Sequence, residues 1–306
     1  MRASMGLVGR VGKREAFQLA EPAGASAEAI QFHYDIGTEF FRTWLGDELV
    51  YSAARWSDRL GDAPPLETLE RAQTAKLDFH LNAVRAGAGK SILDIGCGWG
   101  GLLRRAVSIF DVAQATGVTL SDEQYRYVRA QGLSRVKAHL QSYETLALDK
   151  QVDAVISIGA FEHFVKPGLD RDSKIAIYRQ FFERCGSFLR PGGRLSLQTI
   201  FWQTVERDRA NDIVPSDIFP ESDLPYLDEV FDASRRHFRT IYVESNEDDY
   251  ARTLREWLMR LRRARLQTPH IVDEEKFAFY EAYLRRSIVG FKRHRISLAR
   301  AVFERL

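Results

Sequence analysis

The run Asp94-Ile95-Gly96-Cys97-Gly98-Trp99-Gly100 constrains this chain more than any other stretch. It stands between an apolar, strand-like segment, Ser91–Ile95, and a helical pattern that begins at Gly100. Three glycines at alternate positions let the backbone turn tightly and approach a ligand closely. A GxGxG loop alone is a weak signal, since dinucleotide enzymes use similar turns, and a glycine turn that serves packing alone is the competing reading. Three surrounding features make it more selective. An acid precedes the first glycine by two residues, the spacing is GxGxG where the dinucleotide fingerprint has GxGxxG, and the next strand-like segment, Gly117-Val118-Thr119-Leu120-Ser121, lacks an acidic terminus.

Beyond the loop, short apolar runs alternate with helical patterns. Strands are expected at 91–95, 112–120, 135–140, 152–158 and 194–200, with helices from Gly100, from Ser121 and over 172–189. That alternation predicts an α/β fold with a doubly wound, Rossmann-like parallel sheet, whose ligands bind at the carboxyl ends of the strands. Residues 1–25, Gly/Ala-rich and weakly patterned, are expected to be a flexible leader, and 26–306 a single domain. Within it, the aromatic-dense stretch 26–65 reads as a helical lid closed by a turn at 61–65, before a helix at 66–85. Residues 201–236, rich in acids, aromatics and proline and without helical or strand period, read as a cap insertion after the fifth strand. A strand at 239–245, a helix with Tyr250, Leu254, Trp257, Leu258 and Leu261 on one stripe, a helix at 273–289 and a last strand at 296–305 complete the pattern.

Composition narrows the function. With 306 residues, 45% hydrophobic and 28% charged, the chain has the profile of a folded, soluble enzyme, and disorder as its main state is excluded. The formal charge of +2 is the sum of two unlike parts: residues 251–306 hold 14 basic and 6 acidic side chains, +8, and the first 250 carry −6. A globally basic nucleic-acid binder is therefore excluded, while a basic C-terminal part remains. Two cysteines, Cys97 and Cys185, make neither a disulfide framework nor a CxxC metal site and suit a reducing compartment, so a cytoplasmic location is expected. The sequence has no signal-peptide run and no membrane-span-length apolar segment, and peripheral membrane contact stays open.

Six segments in order carry a closer likeness. They are His33-Tyr34-Asp35 with Phe40-Phe41; Tyr51-Ser52; Leu93 through Gly101; Gly117 to Ser121 with Gln124; Ser157-Ile158-Gly159-Ala160-Phe161-Glu162-His163; and Tyr250-Ala251-Arg252-Thr253-Leu254. Together they resemble the cyclopropane-fatty-acyl-phospholipid synthase and mycolic acid cyclopropane synthase family of class I S-adenosylmethionine-dependent methyltransferases, over about residues 30 to 300. The resemblance implies that S-adenosylmethionine is the cofactor. Tyr51 and Ser52 would cap it, Asp94, Gly96 and Gly98 would hold its amino-acid end, and Thr119, Leu120 and Gln124 would lie around the ribose. Tyr143-Glu144 stands where the family has Trp-Glu beside the adenine, and Ile158 would lie near the reaction centre.

The same likeness implies a base site for proton removal after methyl transfer to an alkene, built in the family around bound bicarbonate. Glu162 and Tyr250 match its Glu and Tyr. Two positions depart: the family's Cys is Ala53, and its His is Gln198, which can donate to an anion but cannot exchange a proton near neutral pH. The expected catalytic set is thus Glu162, Tyr250 and Gln198, with bicarbonate as a second candidate cofactor. If bicarbonate does not bind, Glu162 itself would act as base. His163 is expected to support its loop and His33 the lid, and the other histidines have no ligand-like spacing, so no metal is expected.

For substrate, an apolar, unsaturated acyl chain is expected, in a tunnel lined by Phe40, Phe41, Trp44, Trp56, Phe201, Trp202 and Trp257, although such aromatics also serve as plain core. The arginines between 252 and 265, with Arg285, Arg286, Lys292, Arg293 and Arg295, offer a docking face for an acidic carrier protein or an anionic lipid surface; a solvated basic face is the alternative. A methyltransferase of specialised metabolism acting on C or N of a small molecule, without cyclopropanation, is the alternative function. A nucleic-acid methyltransferase is disfavoured, because Gly159-Ala160-Phe161-Glu162-His163 stands where an Asn/Asp-Pro-Pro-aromatic motif belongs.

Overall fold

The computed structural model describes residues 24–57, 68–206, 221–268, 270, 271 and 273–306, without the side chains of 32–34. Most of the expected leader, the turn at 61–65, the middle of the cap insertion and the His33 side chain therefore lie outside the described residues. Strands β1 (Ser91–Ile95), β2 (Gln114–Thr119), β3 (Val136–Leu140), β4 (Val152–Ile158), β5 (Leu189–Trp202), β6 (Phe238–Ser245) and β7 (Ile296–Arg305) form one sheet in the order β3-β2-β1-β4-β5-β7-β6. β1 to β5 run parallel, and β7 inserts antiparallel between β5 and β6. The order reverses between β1 and β4, which opens a crevice at their carboxyl ends.

The helices are α1 (Ala27–Tyr34), α2 (Thr38–Leu45), α3 (Leu69–Ala83), α4 (Gly101–Ser108), α5 (Asp122–Ala130), α6 (Arg171–Phe188), α7 (Leu227–Ser234), α8 (Glu247–Gln267) and α9 (Glu274–Lys292). Their starts follow from short polar side chains that accept from otherwise unpaired backbone N–H groups: Ser121 caps α5, Asp170 α6, Asn246 α8 and Asp273 α9. β1 and β4 are covered on both faces, with Ile92, Leu93, Val155 and Ile156 fully buried, so their sequences read as unbroken apolar runs.

Two expectations need correction. The 201–236 stretch is more regular than its composition suggests: β5 runs on to Trp202, and α7 forms at 227–234, with Glu229 accepting from the Tyr226 N–H at 2.8 Å. Eight residues give too few turns for a helical period to stand out. The lid aromatics form core and line no tunnel. Phe40, Phe41 and Trp44 on α2 pack against Trp257 of α8 and Tyr280 of α9, with Phe40 and Tyr280 ring centroids 5.0 Å apart. Edge-to-face packing of this kind fastens the lid to the C-terminal helices.

Candidate active site

The crevice holds two cavities that share a wall. The first, about 180 Å³, is lined by Tyr51, Ser52, Asp94, Gly96, Gly98, Thr119, Leu120, Gln124, Tyr143, Glu144 and Ile158, so all eleven expected cofactor residues come together. Each arrives by a local device. Asp94 lies near the carboxyl end of β1, and Gly96 follows with φ +81°, where a Cβ would come within 2.5 Å of the Ala160 Cβ. Any side chain there would collide as well as strain the backbone. The Gly96 and Cys97 N–H groups both donate to the Val118 carbonyl at 3.0 Å, which folds the loop back over β2. Thr119 donates to the Gln124 amide oxygen at 2.7 Å, and Gln124 N–H is held by the Ser121 cap, so this pair is pre-ordered.

The lid reaches the same spot: Gln31 donates to the Leu120 carbonyl at 3.1 Å, Ser121 bonds Asp35, and Trp99 donates to Thr38 at 3.0 Å. Burial raises the Asp94 carboxyl to about 7, partly opposed by the nearby Lys76 charge. No group among the described residues donates a hydrogen bond to that carboxylate.

The second cavity is larger, about 440 Å³, and mostly apolar. Ile200 and Trp202 of β5, Leu224 of the cap, Tyr250 and Leu254 of α8, and Tyr283 and Phe291 of α9 line it, together with Glu162. Tyr51, Gly159 and His163 border both cavities. Glu162 sits on a single 3-10 turn, Phe161–His163, directly after β4. It is 7% exposed; its Oε1 accepts from the Ile200 N–H at 2.7 Å, and its Oε2 has no hydrogen-bond partner among the described residues. Burial lifts its carboxyl to about 7, against the lowering effect of the Ile200 hydrogen bond. Tyr283, in the same wall as Tyr51, is pushed up to about 12 by burial. His163, for which a loop-supporting role was expected, has its Nδ1 2.7 Å from Ser222 Oγ, and burial lowers it to about 4.

Gln198 departs from expectation and lines neither cavity. Arg300, directly opposite in the β5–β7 register, donates from Nε to Gln198 Oε1 at 2.8 Å, and His80 Nε2 lies 3.4 Å from the same oxygen. A guanidinium can only donate, so the amide oxygen must face it and the amide nitrogen turns to the Ala53 carbonyl, 3.4 Å away. Arg300 is itself 0% exposed and engaged by Glu244, Asp249 and the Ala54 carbonyl. Bicarbonate does not fit residues so placed, because neither Gln198 nor Arg300 lines either cavity to present a donor to an anion there. The cofactor does fit the first cavity, where left-handed glycines, an unpaired buried carboxylate and the exposed Glu144 match its peptide-like end and its ribose or base.

Sequence reasoning missed Lys76, His80, Arg300 and Tyr283. The signal for the first two was legible: Gln73, Lys76 and His80 stand on the buried stripe of α3, among Ala72, Leu77 and Leu81. The expected docking arginines of α8 are largely tied down. Arg262 pairs with Glu281 at 2.8 Å, Arg265 with Glu274 and Glu281, and Arg260 with Glu70, while Arg252 lies over the Trp56 ring. Arg285, Arg286 and Arg295 border the second cavity and have no carboxylate partner among the described residues. No cluster of metal-ligating side chains occurs among the described residues, and none of their helices is long and apolar enough to cross a membrane.

A sheet of this order, with an acid-and-glycine loop at its switch point and a capped cavity above it, defines a class I S-adenosylmethionine-dependent methyltransferase. The chain matches the mycolic acid cyclopropane synthetase family over residues 23–301 and belongs to it. It is 31% identical over 283 residues to a probable fatty acid methyltransferase of Pseudomonas putida, covering 89% of this chain and 68% of that protein. The cyclopropane synthase MmaA2 of Mycobacterium tuberculosis superposes with a TM-score of 0.80 at 30% identity, over 92% of this chain and 99% of the other. Mycolic acid cyclopropane synthase CmaA1, solved with SAH and CTAB, gives 0.79 at 29% identity, over 92% and 99%.

Proposed function

We propose that this chain transfers the methyl carbon of S-adenosylmethionine to an unsaturated acyl chain held in the second cavity, with Glu162 as the base. The observation that carries this reading is the buried, unpartnered Oε2 of Glu162, facing an apolar cavity that shares Tyr51, Gly159 and His163 with the cofactor cavity. The cofactor supplies a methyl group on a cationic sulfur. Tyr51, at the shared wall, aligns donor and alkene, and Ile200, Trp202 and Leu254 exclude water from them. The alkene electron pair forms the new C–C bond as the C–S bond breaks, and its electrons leave on sulfur. Glu162 Oε2 then accepts a proton from the cationic product, and the released pair closes a ring or leaves a double bond. A carboxyl raised to about 7 is suited to that exchange near neutral pH.

The mouth of the cavity indicates how such a substrate is presented. Arg285, Arg286 and Arg295 stand beside the exposed Val289, a pattern that fits the phosphate of a lipid headgroup or of a carrier-bound acyl group, and with it peripheral contact with an anionic lipid surface. Methylation of a small molecule is the second reading, favoured by the withdrawal of Gln198 from the cavity. Incubation with labelled cofactor and vesicles of unsaturated phospholipid, followed by lipid mass spectrometry, separates the two: gain of one CH2 per acyl chain supports the first. Glu162→Gln should lower that turnover by about a hundredfold or more and leave SAH affinity within about twofold. Wild-type turnover in this variant would remove Glu162 from the mechanism.

A further inference from the structure

Trp202 is the bulkiest side chain among the described residues that wall the second cavity, and its ring is held from behind by buried charge. The indole N–H donates to Asp223 Oδ1 at 3.2 Å, and Lys174 donates to Asp223 Oδ2 at 2.6 Å and to the Leu224 carbonyl at 3.2 Å. Trp202, Asp223 and Lys174 are 2%, 9% and 5% exposed, so the whole relay lies away from water. The backbone is braced as well. Trp202 N–H donates to the Pro225 carbonyl and Asp223 N–H to the Val165 carbonyl, each at 2.9 Å.

A cavity wall needs only apolar bulk. Phenylalanine or leucine would supply it with no polar atom to satisfy, whereas a buried indole asks for an acceptor and a buried carboxylate for a cation. Apolar replacements for a buried ion pair are often neutral or stabilising, so stability alone does not account for this one. What the relay adds is a fixed ring, tied at its indole N–H and at its own backbone N–H, which leaves its place only by breaking a buried hydrogen bond. That place is significant. The Ile200 N–H holds Glu162, and Trp202 follows on the same face of β5, about 7 Å farther along the strand. The next residue, Gln203, donates its N–H to the carbonyl of Arg295, at the rim. Along β5 the ring therefore stands between the arginine rim and Glu162, packed against Leu224 and Ile296.

We propose that Trp202 gauges the girth of the acyl chain that passes from the arginine rim to Glu162, so that an unbranched chain is accepted and one branched between its carboxylate and its double bond is refused. Trp202 touches the substrate; Asp223 and Lys174 are positioning residues that act through it. Because the same ammonium holds the Leu224 carbonyl, one cation fixes two neighbouring parts of the wall. The inference rests on the reading of the second cavity as an acyl site and adds to it the shape of chain selected.

Calorimetric titration of the whole chain, loaded with SAH, tests this with two ligands: a linear monounsaturated fatty acid, and the same acid with a methyl branch between carboxylate and double bond. Wild type should bind the linear acid about tenfold or more tightly than the branched one. In Trp202→Ala that preference should fall to about twofold or less, mainly through tighter binding of the branched acid. Trp202→Phe keeps a ring and loses its hydrogen bond, and a paired Lys174→Met, Asp223→Leu variant keeps the indole and frees it; both should fall between, at about fourfold. Equal affinity of wild type for the two acids, an unchanged preference in Trp202→Ala, or binding of neither acid overturns the gauge. Equal losses for both acids in the paired variant would show that Lys174 and Asp223 merely support the fold. Should that variant fail to fold, Trp202→Phe decides alone, because a wild-type preference in it removes the relay from the argument. Selective binding of the linear acid with no methyl transfer once S-adenosylmethionine is supplied is a different result: it removes the proposed reaction and leaves the gauge standing.

Discussion

The two cavities differ in how they are built. The cofactor cavity is walled mainly by turns directly after β1, β2 and β4, where a glycine or a helix cap sets the geometry within a few residues. The second cavity is assembled from side chains on β5, α8, α9 and the cap, far apart in the chain, and is mostly apolar, with Glu162, His163 and tyrosines in its wall and arginines at its rim. A ligand shared by many methyltransferases is met by backbone geometry, and the part of the reaction that sets specificity is left to side chains that can change one at a time. The two regions should therefore respond to different perturbations.

The largest test of that separation concerns stability. The Glu162 carboxyl rises from 4.5 in the unfolded chain to about 7 in the fold, so its protonated form is favoured on folding. Its contribution is full below about pH 4.5 and is lost as pH rises through about 7, about 3 kcal/mol in all. Denaturant melts of Glu162→Gln should lack this loss, so the variant gains on wild type between pH 5 and pH 8; parallel pH profiles would show the carboxyl to be solvated. Next in size, Asp94→Asn should weaken SAH binding by about thirtyfold while leaving lipid binding to the second cavity unaltered. A comparable loss in both would mean that the cavities are coupled rather than separate.

Filling the second cavity gives the converse: Leu254→Trp should reduce turnover of acyl substrate about tenfold with SAH affinity retained, measured by titration. The smallest effect is expected at the rim. Charge reversal at Arg285 and Arg286 should raise apparent KM about threefold for anionic vesicles, with no change for a neutral substrate. The same reversal at Arg262, already paired with Glu281, should disturb packing before it disturbs KM.

The contrast also explains what the sequence disclosed. The strand–helix alternation and the Asp94–Gly98 loop were legible, because each belongs to a local pattern of apolar run and glycine turn, whereas positions such as Tyr51, Ser52, Tyr143 and Glu144 were expected only from the family likeness. The lid aromatics were misassigned to a tunnel, since burial in a core and burial along a cavity leave the same composition in the chain. Gln198 was placed in the reaction centre because its position matched, but its orientation is decided by Arg300, which register alone brings opposite. Arg262 and Arg265 of α8 looked free because Glu281, which pairs with both, lies on the next helix. Each of these depends on tertiary pairing, which one-dimensional patterns do not carry.

Arg300 has a consequence for the order in which this protein assembles. Its guanidinium binds the Ala54 carbonyl of the lid across 246 positions in the sequence, and on the way it gathers Gln198 from β5, Glu244 from β6 and Asp249 from α8. During synthesis the lid leaves the ribosome long before the strand that will hold it, so Phe40, Phe41 and Trp44 must wait with their apolar surfaces unmatched. The insertion of β7 then completes the sheet and locks the lid in one event. A nascent chain halted before that strand would bear a finished glycine loop under a cover held by its aromatic contacts with α8 and α9, without the Arg300 tie to Ala54.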